Sequence, residues 1–289
     1  SRYQNSADGV VFVPAQPQPP ERLAMAAPKT TTVLRIRPAA IPLGLALDPL
    51  FRGAAVKAAY YSGAFIIRSC GAERLDIDPE ELEISNIRQV EADNAARVGE
   101  IVISDELANG AGFTQWIAAH WRELLLEILQ APPESDTFAA SIKSERHRTS
   151  CDSSCYDCLR KYRNMSYHGL LDWRLGLCLL RVLADGQYSC GLDGDFSDPE
   201  LRGWLGHAQA LRATFCSAFG CAPRDFGWLP GTVIGARHVV FKHPLWDETR
   251  PSGLLAEALA AIPQGADFAV LDTFNVLRRP SSAYLSLQS

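Results

Sequence analysis

Cys151, Cys155 and Cys158 fall within eight residues in a C-x3-C-x2-C arrangement near the middle of the 289-residue chain. Three thiols on one short loop can converge on a single cation, and thiolates suit zinc or an iron–sulfur cluster. The residues between them include Asp152, Ser153, Ser154, Tyr156 and Asp157, so the segment reads as a polar loop and not as a packed core strand. Such a knuckle needs a fourth ligand. His168 is the nearest histidine downstream, His147 the nearest upstream, and Cys178, Cys190 and Cys70 are more distant alternatives.

The rest of the chain must supply a core around that loop. At 47% apolar and 21% charged residues, the composition is globular, and the length suffices for one large domain or two ordinary ones. The eight cysteines are too few for a disulfide scaffold, and their clustering fits a metal in a reducing, cytoplasmic compartment. The sequence shows no signal peptide and no apolar run of membrane-spanning length, so no membrane partner is expected. The chain opens without Met in polar, Pro-rich sequence and reads as a piece of a longer protein.

Hydrophobic periodicity gives a mixed α/β (α+β) fold, with helices packed on small β-sheets and the cysteine loop between two halves. Residues 1–50 read as an irregular N-terminal segment, with an apolar run at 9–13, a Pro/Gln-rich stretch at 14–20 and a strand at 31–37. Helices are expected at 54–69 and 170–183, and one amphipathic helix carries Phe113, Trp116, Ile117, His120, Leu124 and Ile128. Strands at 82–90 and 99–104 form a hairpin. Asn109, Gly110 and Gly112 make a tight turn before the amphipathic helix; it serves as a strand-to-helix connection or as a phosphate-binding nest. Asp198 and Pro199 signal the start of a further helix, with Leu201, Trp204, Leu205, Ala208, Leu211 and Phe215 as its buried stripe. A strand or hairpin at 229–241, a helix at 252–261 and a strand at 268–274 imply a parallel pair in the C-terminal third.

Net charge of −5 gives no global attraction for nucleic acid, so DNA contact requires a local basic surface. Between Lys143 and Arg174 seven basic residues face four acidic ones, with Tyr156, Tyr162 and Tyr167 interleaved. Arg160, Lys161, Arg163 and Arg174 are the candidate phosphate contacts, and the tyrosines could stack on bases. A solvated basic loop around a structural metal is the alternative.

Required residues exclude several chemistries. A nucleobase deaminase needs His-x-Glu and Pro-Cys-x-x-Cys, and a zincin needs His-Glu-x-x-His; the chain has neither. It also lacks Gly-Lys-Ser/Thr and a DEAD/DEAH motif, so this region is not the motor of a helicase. A radical-enzyme iron–sulfur site shares the cysteine spacing, but no βα repeat precedes it and no Gly-Gly-Glu follows. Asp225, Asp247 and Asp272 with Lys242 leave a nuclease-like C-terminal domain as a further alternative, although their spacing matches no defined pattern.

Cys151-Asp-Ser-Ser-Cys-Tyr-Asp-Cys-Leu-Arg-Lys-Tyr-Arg-Asn, with His168-Gly-Leu-Leu-Asp-Trp-Arg-Leu after it, resembles the cysteine motif of a helicase-associated domain. That domain ends MrfA-type superfamily 2 helicases and occurs in DrmB proteins of the DISARM anti-phage system. Leu75-Asp-Ile-Asp-Pro-Glu-Glu-Leu-Glu-Ile and Ile103-Ser-Asp-Glu-Leu-Ala-Asn-Gly-Ala-Gly-Phe are similar to further segments of it. The resemblance covers roughly residues 55–180. It implies a helicase-associated domain at 51–184, with a zinc loop at 146–168, and an α/β extension at 185–289.

By the same resemblance the region is a zinc-stabilised, non-catalytic accessory of a DNA helicase or helicase partner in anti-phage defence or repair. Its expected partners are DNA and a helicase motor domain or subunit, with ATP-dependent activity in the full-length protein or that partner. The family site has four cysteines. Here Cys151, Cys155 and Cys158 carry over, and the fourth place is assigned to His168, which belongs to the matching segment. The alternatives are a scaffold that docks the motor, and an iron–sulfur or nuclease-like enzyme.

Overall fold

The computed structural model describes residues 2–6, 9–13, 30–50, 54–93 and 95–288. The Pro/Gln-rich stretch at 14–20 lies outside them. Residues 1–30 form one unit, whose described part is an antiparallel hairpin of β1 (Arg2–Ser6) and β2 (Gly9–Val13). Residues 31–289 form the other unit. It is mixed α/β, with helices packed on small sheets.

The second unit is built around α1 (Ala54–Leu75), which runs past the expected end at 69. Alanine and large apolar residues alternate around its whole circumference, so every face can be covered, the mark of a central helix. One side packs on an antiparallel sheet of β3 (Val33–Ile36), β4 (Leu82–Ile84), β5 (Arg88–Glu91) and β6 (Arg97–Asp105). The expected hairpin is two short strands, β4 and β5, laid along different stretches of β6. Tyr60 locks helix to sheet: its hydroxyl accepts from Gly99 N–H at 2.8 Å and donates to the Leu47 carbonyl at 3.0 Å. Gly99 is needed there, because a Cβ would sit 2.6 Å from the tyrosine ring.

The Gly-rich turn after β6 leads into α2 (Phe113–Ala119) and α3 (Trp121–Gln130). One continuous helix was expected. His120 breaks it: its backbone leaves the helical region at φ −109°, its Nδ1 meets the Trp116 carbonyl at 2.9 Å, and its ring stacks on Trp116. The turn itself has no free nest. The Asp105 carboxylate accepts from the N–H groups of Ala111, Gly112 and Thr114 at 2.7, 2.8 and 2.9 Å. A protein anion occupies the donors that a phosphate would use.

Next come α4 (Phe138–Lys143), α5 (Glu145–Ser150), the cysteine loop and α6 (Trp173–Ala184). The last crosses α1 closely, since a Cβ on Gly176 would stand 2.9 Å from the Ser62 backbone. Asp172 caps α6 by accepting from Arg174 and Leu175 N–H, while its own N–H donates to Ser62 Oγ at 2.8 Å.

The expected helix at 198 begins later, as α7 (Trp204–Phe219). Asp198–Arg202 makes a single turn, and Gly203 interrupts it in the left-handed region at φ 81°. A four-stranded sheet follows in the order β10-β9-β8-β7: β7 (Ala222–Phe226), β8 (Leu229–Ile234) and β9 (Arg237–Lys242) are antiparallel neighbours. After α8 (Gly253–Ala260), β10 (Phe268–Asp272) pairs parallel to β9, as the strand–helix–strand order implied. The chain continues with α9 (Thr273–Arg278), which begins inside the stretch expected as a strand, and α10 (Pro280–Leu285).

One apolar core joins residues of α1, α6 and α7 to Phe226, Val240 and Trp246 from the C-terminal third. The segment around residue 45 strengthens that union: Ala46 N–H donates to the Leu245 carbonyl and Asp247 N–H to that of Gly44. Among the described residues no helix is long and apolar enough to cross a membrane.

Candidate metal centre

The structure brings Cys151, Cys155 and Cys158 together with a histidine, but that histidine is His147. One ligand atom from each of the four lies within 4.8 Å of every other, and together they can hold a metal ion. Cys155 Sγ stands 3.6 Å from Cys158 Sγ and 3.5 Å from His147 Nε2; Cys151 Sγ is 4.0 Å from Cys158 Sγ. Tetrahedral coordination with metal–sulfur bonds of about 2.3 Å and metal–nitrogen bonds of about 2.1 Å places sulfurs roughly 3.8 Å apart and sulfur from nitrogen roughly 3.5 Å. The donor set therefore fits a four-coordinate cation with little rearrangement.

Local structure explains the convergence. His147 and Cys151 are four residues apart at the end of α5, so helical geometry sets ring and thiol on one side. Cys155 and Cys158 bracket a tight turn in which Cys155 N–H donates to Cys158 Sγ at 3.1 Å. His147 Nδ1 lies 2.8 Å from the Ile142 carbonyl, which fixes the proton on that nitrogen and leaves Nε2 bare toward the sulfurs. A repeated spacing of four upstream of Cys155 was the available signal for His147.

His168 is elsewhere. Its Nε2 lies 2.9 Å from Asn164 Oδ1 and 3.1 Å from the Lys161 carbonyl, and its ring meets Tyr156 edge-on. It pins the basic turn instead of joining the thiols. Asn164 completes the same arrangement, accepting from Lys161 N–H and donating to the Leu159 carbonyl, both at 2.8 Å.

Crowding lets one thiol ionise at the expense of its neighbours. Cys158 is lowered to about 4, chiefly because the Cys151 thiol donates to its sulfur; burial opposes this, and the Cys155 N–H reinforces it. Cys151 is pushed up by that donation and by burial, and Cys155 is raised foremost by burial. A bound cation resolves the conflict by taking the place of the remaining thiol protons.

Trp173 and Arg174 enclose the loop from behind. Trp173 Nε1 donates to the Cys151 carbonyl at 3.2 Å, and its ring lies against His147. The Arg174 guanidinium donates to the carbonyls of Cys151, Asp152 and Arg148 at 3.0, 2.7 and 3.0 Å, and it stacks on Trp173. Arg174 is thus spent on the loop's own backbone and is not placed to reach a phosphate.

Arg160, Lys161 and Arg163 lie on the other side. Arg160 is half-buried and donates to Ser154 Oγ at 3.0 Å; Lys161 and Arg163 are exposed, the latter paired with Glu80 at 2.9 Å. Tyr156 and Tyr162 are exposed beside them, whereas Tyr167 packs against Tyr61 and Phe65. Of the C-terminal carboxylates, Asp247 and Asp272 line one small cavity with Lys242, and Asp225 is not among its lining residues. Asp225 pairs with Arg212, Asp247 with Thr249 and Arg250, and Asp272 caps α9.

No family model and no solved structure matches the chain. Over 117 residues, 39% of its length, the chain is 30% identical to Druantia protein DruE of Escherichia coli (strain UMEA 4076-1). The matched part is 5% of that relative, so the chain spans a small fraction of its length.

Proposed function

We propose that this region is a zinc-stabilised, non-catalytic accessory of a DNA helicase or helicase partner, acting in anti-phage defence or DNA repair. The carrying observation is a closed set of three sulfurs and one imidazole nitrogen at tetrahedral spacing, on the loop that also exposes Lys161, Tyr162 and Arg163. Three thiolates and an imidazole suit zinc, and four protein ligands leave no position for a reactive water. Zinc supplies a cross-link that holds the loop rigid. The fixed loop then presents Arg160, Lys161 and Arg163 to phosphates, with Tyr156 and Tyr162 as stacking surfaces. The DNA partner and the motor partner rest on the motif resemblance and on the similarity to DruE, which support an anti-phage, helicase-associated setting.

The test is DNA binding by the chain and by its Arg160→Ala/Lys161→Ala/Arg163→Ala variant across a salt series, on single-stranded and duplex probes. Loss of affinity is expected on both. On duplex the slope of log K against log salt should become shallower by as much as about 2–3, roughly 0.9 for each phosphate contact removed. An affinity and slope equal to the parent's would reject the DNA contact and leave motor docking as the role of this surface.

A further inference from the structure

We propose a second zinc site, formed by Cys178, Cys190 and His243 and joining α6 to the C-terminal sheet. Cys178 lies in α6, Cys190 in the loop beyond it, and His243 directly follows β9. All three are buried, at 0%, 0% and 2% exposure, and their ligand atoms lie within 4.8 Å of one another. Cys190 Sγ is 3.6 Å from His243 Nδ1, close to the roughly 3.5 Å that a shared tetrahedral zinc imposes on sulfur and nitrogen. The same Nδ1 accepts from Leu245 N–H at 3.3 Å, so it carries no proton, and binding zinc would replace that long hydrogen bond at its single lone pair.

The surroundings fix the ligands in place. Cys190 adopts φ 53°, a left-handed conformation that a residue with a Cβ rarely takes, and its carbonyl is held by Trp246 Nε1 at 2.9 Å. Trp204 and Trp246 both contact the His243 ring. Two thiols and an imidazole gathered at zero exposure gain little from each other as neutral groups, since a thiol is a weak donor and acceptor. With zinc they become strong ligands.

Glu200 supplies the fourth position through a water. Its Oε1 takes the Arg181 guanidinium, but its Oε2 is buried with no hydrogen-bond partner. Glu200 and His243 line one small cavity, and Glu200 falls outside the cluster radius, as a carboxylate acting through water would. The three protein ligands tie α6 and its following loop to the end of β9, and the fourth position faces the small cavity. The site does not depend on the first centre, and separate variants distinguish the two.

Elemental analysis of the chain purified without chelator should give two zinc per chain. Cys190→Ser/His243→Gln and Cys151→Ser/Cys158→Ser should each retain one. Glu200→Gln should keep both while losing about 10–100-fold in affinity at the second site, read by chelator competition. Where the Cys190 variant fails to fold, cobalt replacement in the parent serves instead: thiolate-to-cobalt absorption should correspond to five sulfur ligands, and three would overturn the proposal. Zinc content unchanged by Cys190→Ser/His243→Gln would also overturn it. So would a Cys178–Cys190 disulfide in the non-reduced peptide map of the parent.

Discussion

Arg174→Ala tests whether the segment behind the cysteine loop holds the metal centre in shape. The guanidinium makes three charge-assisted bonds to carbonyls of Cys151, Asp152 and Arg148, and it covers the Trp173 ring at 4.4 Å. Bonds to charged groups contribute about 1.5–3 kcal/mol each. The Cys151 carbonyl keeps Trp173 as a donor, so two carbonyls, those of Asp152 and Arg148, lose their partner. The expected loss is about 3–4 kcal/mol, since such bonds are not additive. For a chain of this size that lowers Tm by roughly 5–7 °C. Arg174→Lys should recover less than half, because one ammonium cannot span three carbonyls as a planar fork does. The assays are thermal unfolding with metal present and the rate of metal loss to a chelator. Destabilisation below about 1 kcal/mol with unchanged metal retention would refute the clamp. Because Arg174 faces inward, the salt slope of DNA binding by the folded variant should equal the parent's.

Two further perturbations separate ligands from supports. His147→Ala should release the first-site metal to a chelator, and His147→Cys should restore retention, whereas His168→Ala should leave retention unchanged. Metal loss from the His168 variant alone would reverse the assignment. Asp105→Asn should cost about 2 kcal/mol at neutral pH, because three backbone N–H groups lose a carboxylate. Burial raises the Asp105 pKa, but bonds from Thr114, Gly112 and Ala111 outweigh it and leave the carboxyl below its ordinary value. Its stabilisation is therefore complete above the unfolded pKa near ~3.9 and disappears as pH falls through the lower folded value. Urea unfolding at neutral and acid pH measures this, and a difference between parent and variant that persists below both values would contradict it.

The cysteine spacing alone determined that residues 151–158 form a loop able to gather three thiols, because so short a separation leaves them little room to diverge. Periodicity likewise determined α1 and α6, since apolar faces repeat at the helix period, and the strand–helix–strand order implied the parallel β9–β10 pair, while 229–241 was legible only as a strand or a hairpin. The choice of His147 over His168 was half legible. Four residues separate His147 from Cys151 on a helix, while the motif resemblance drew attention downstream. Sequence could not show that Arg174 turns inward or that His120 divides a helix, because both depend on which carbonyls and rings tertiary packing brings near. Cys178, Cys190 and His243 are the extreme case. Fifty-three residues part the last two, and only the docking of the β9 end against α6 and its following loop sets them side by side. Local chain geometry fixes neighbours a few residues apart; the burial of a common core fixes the rest.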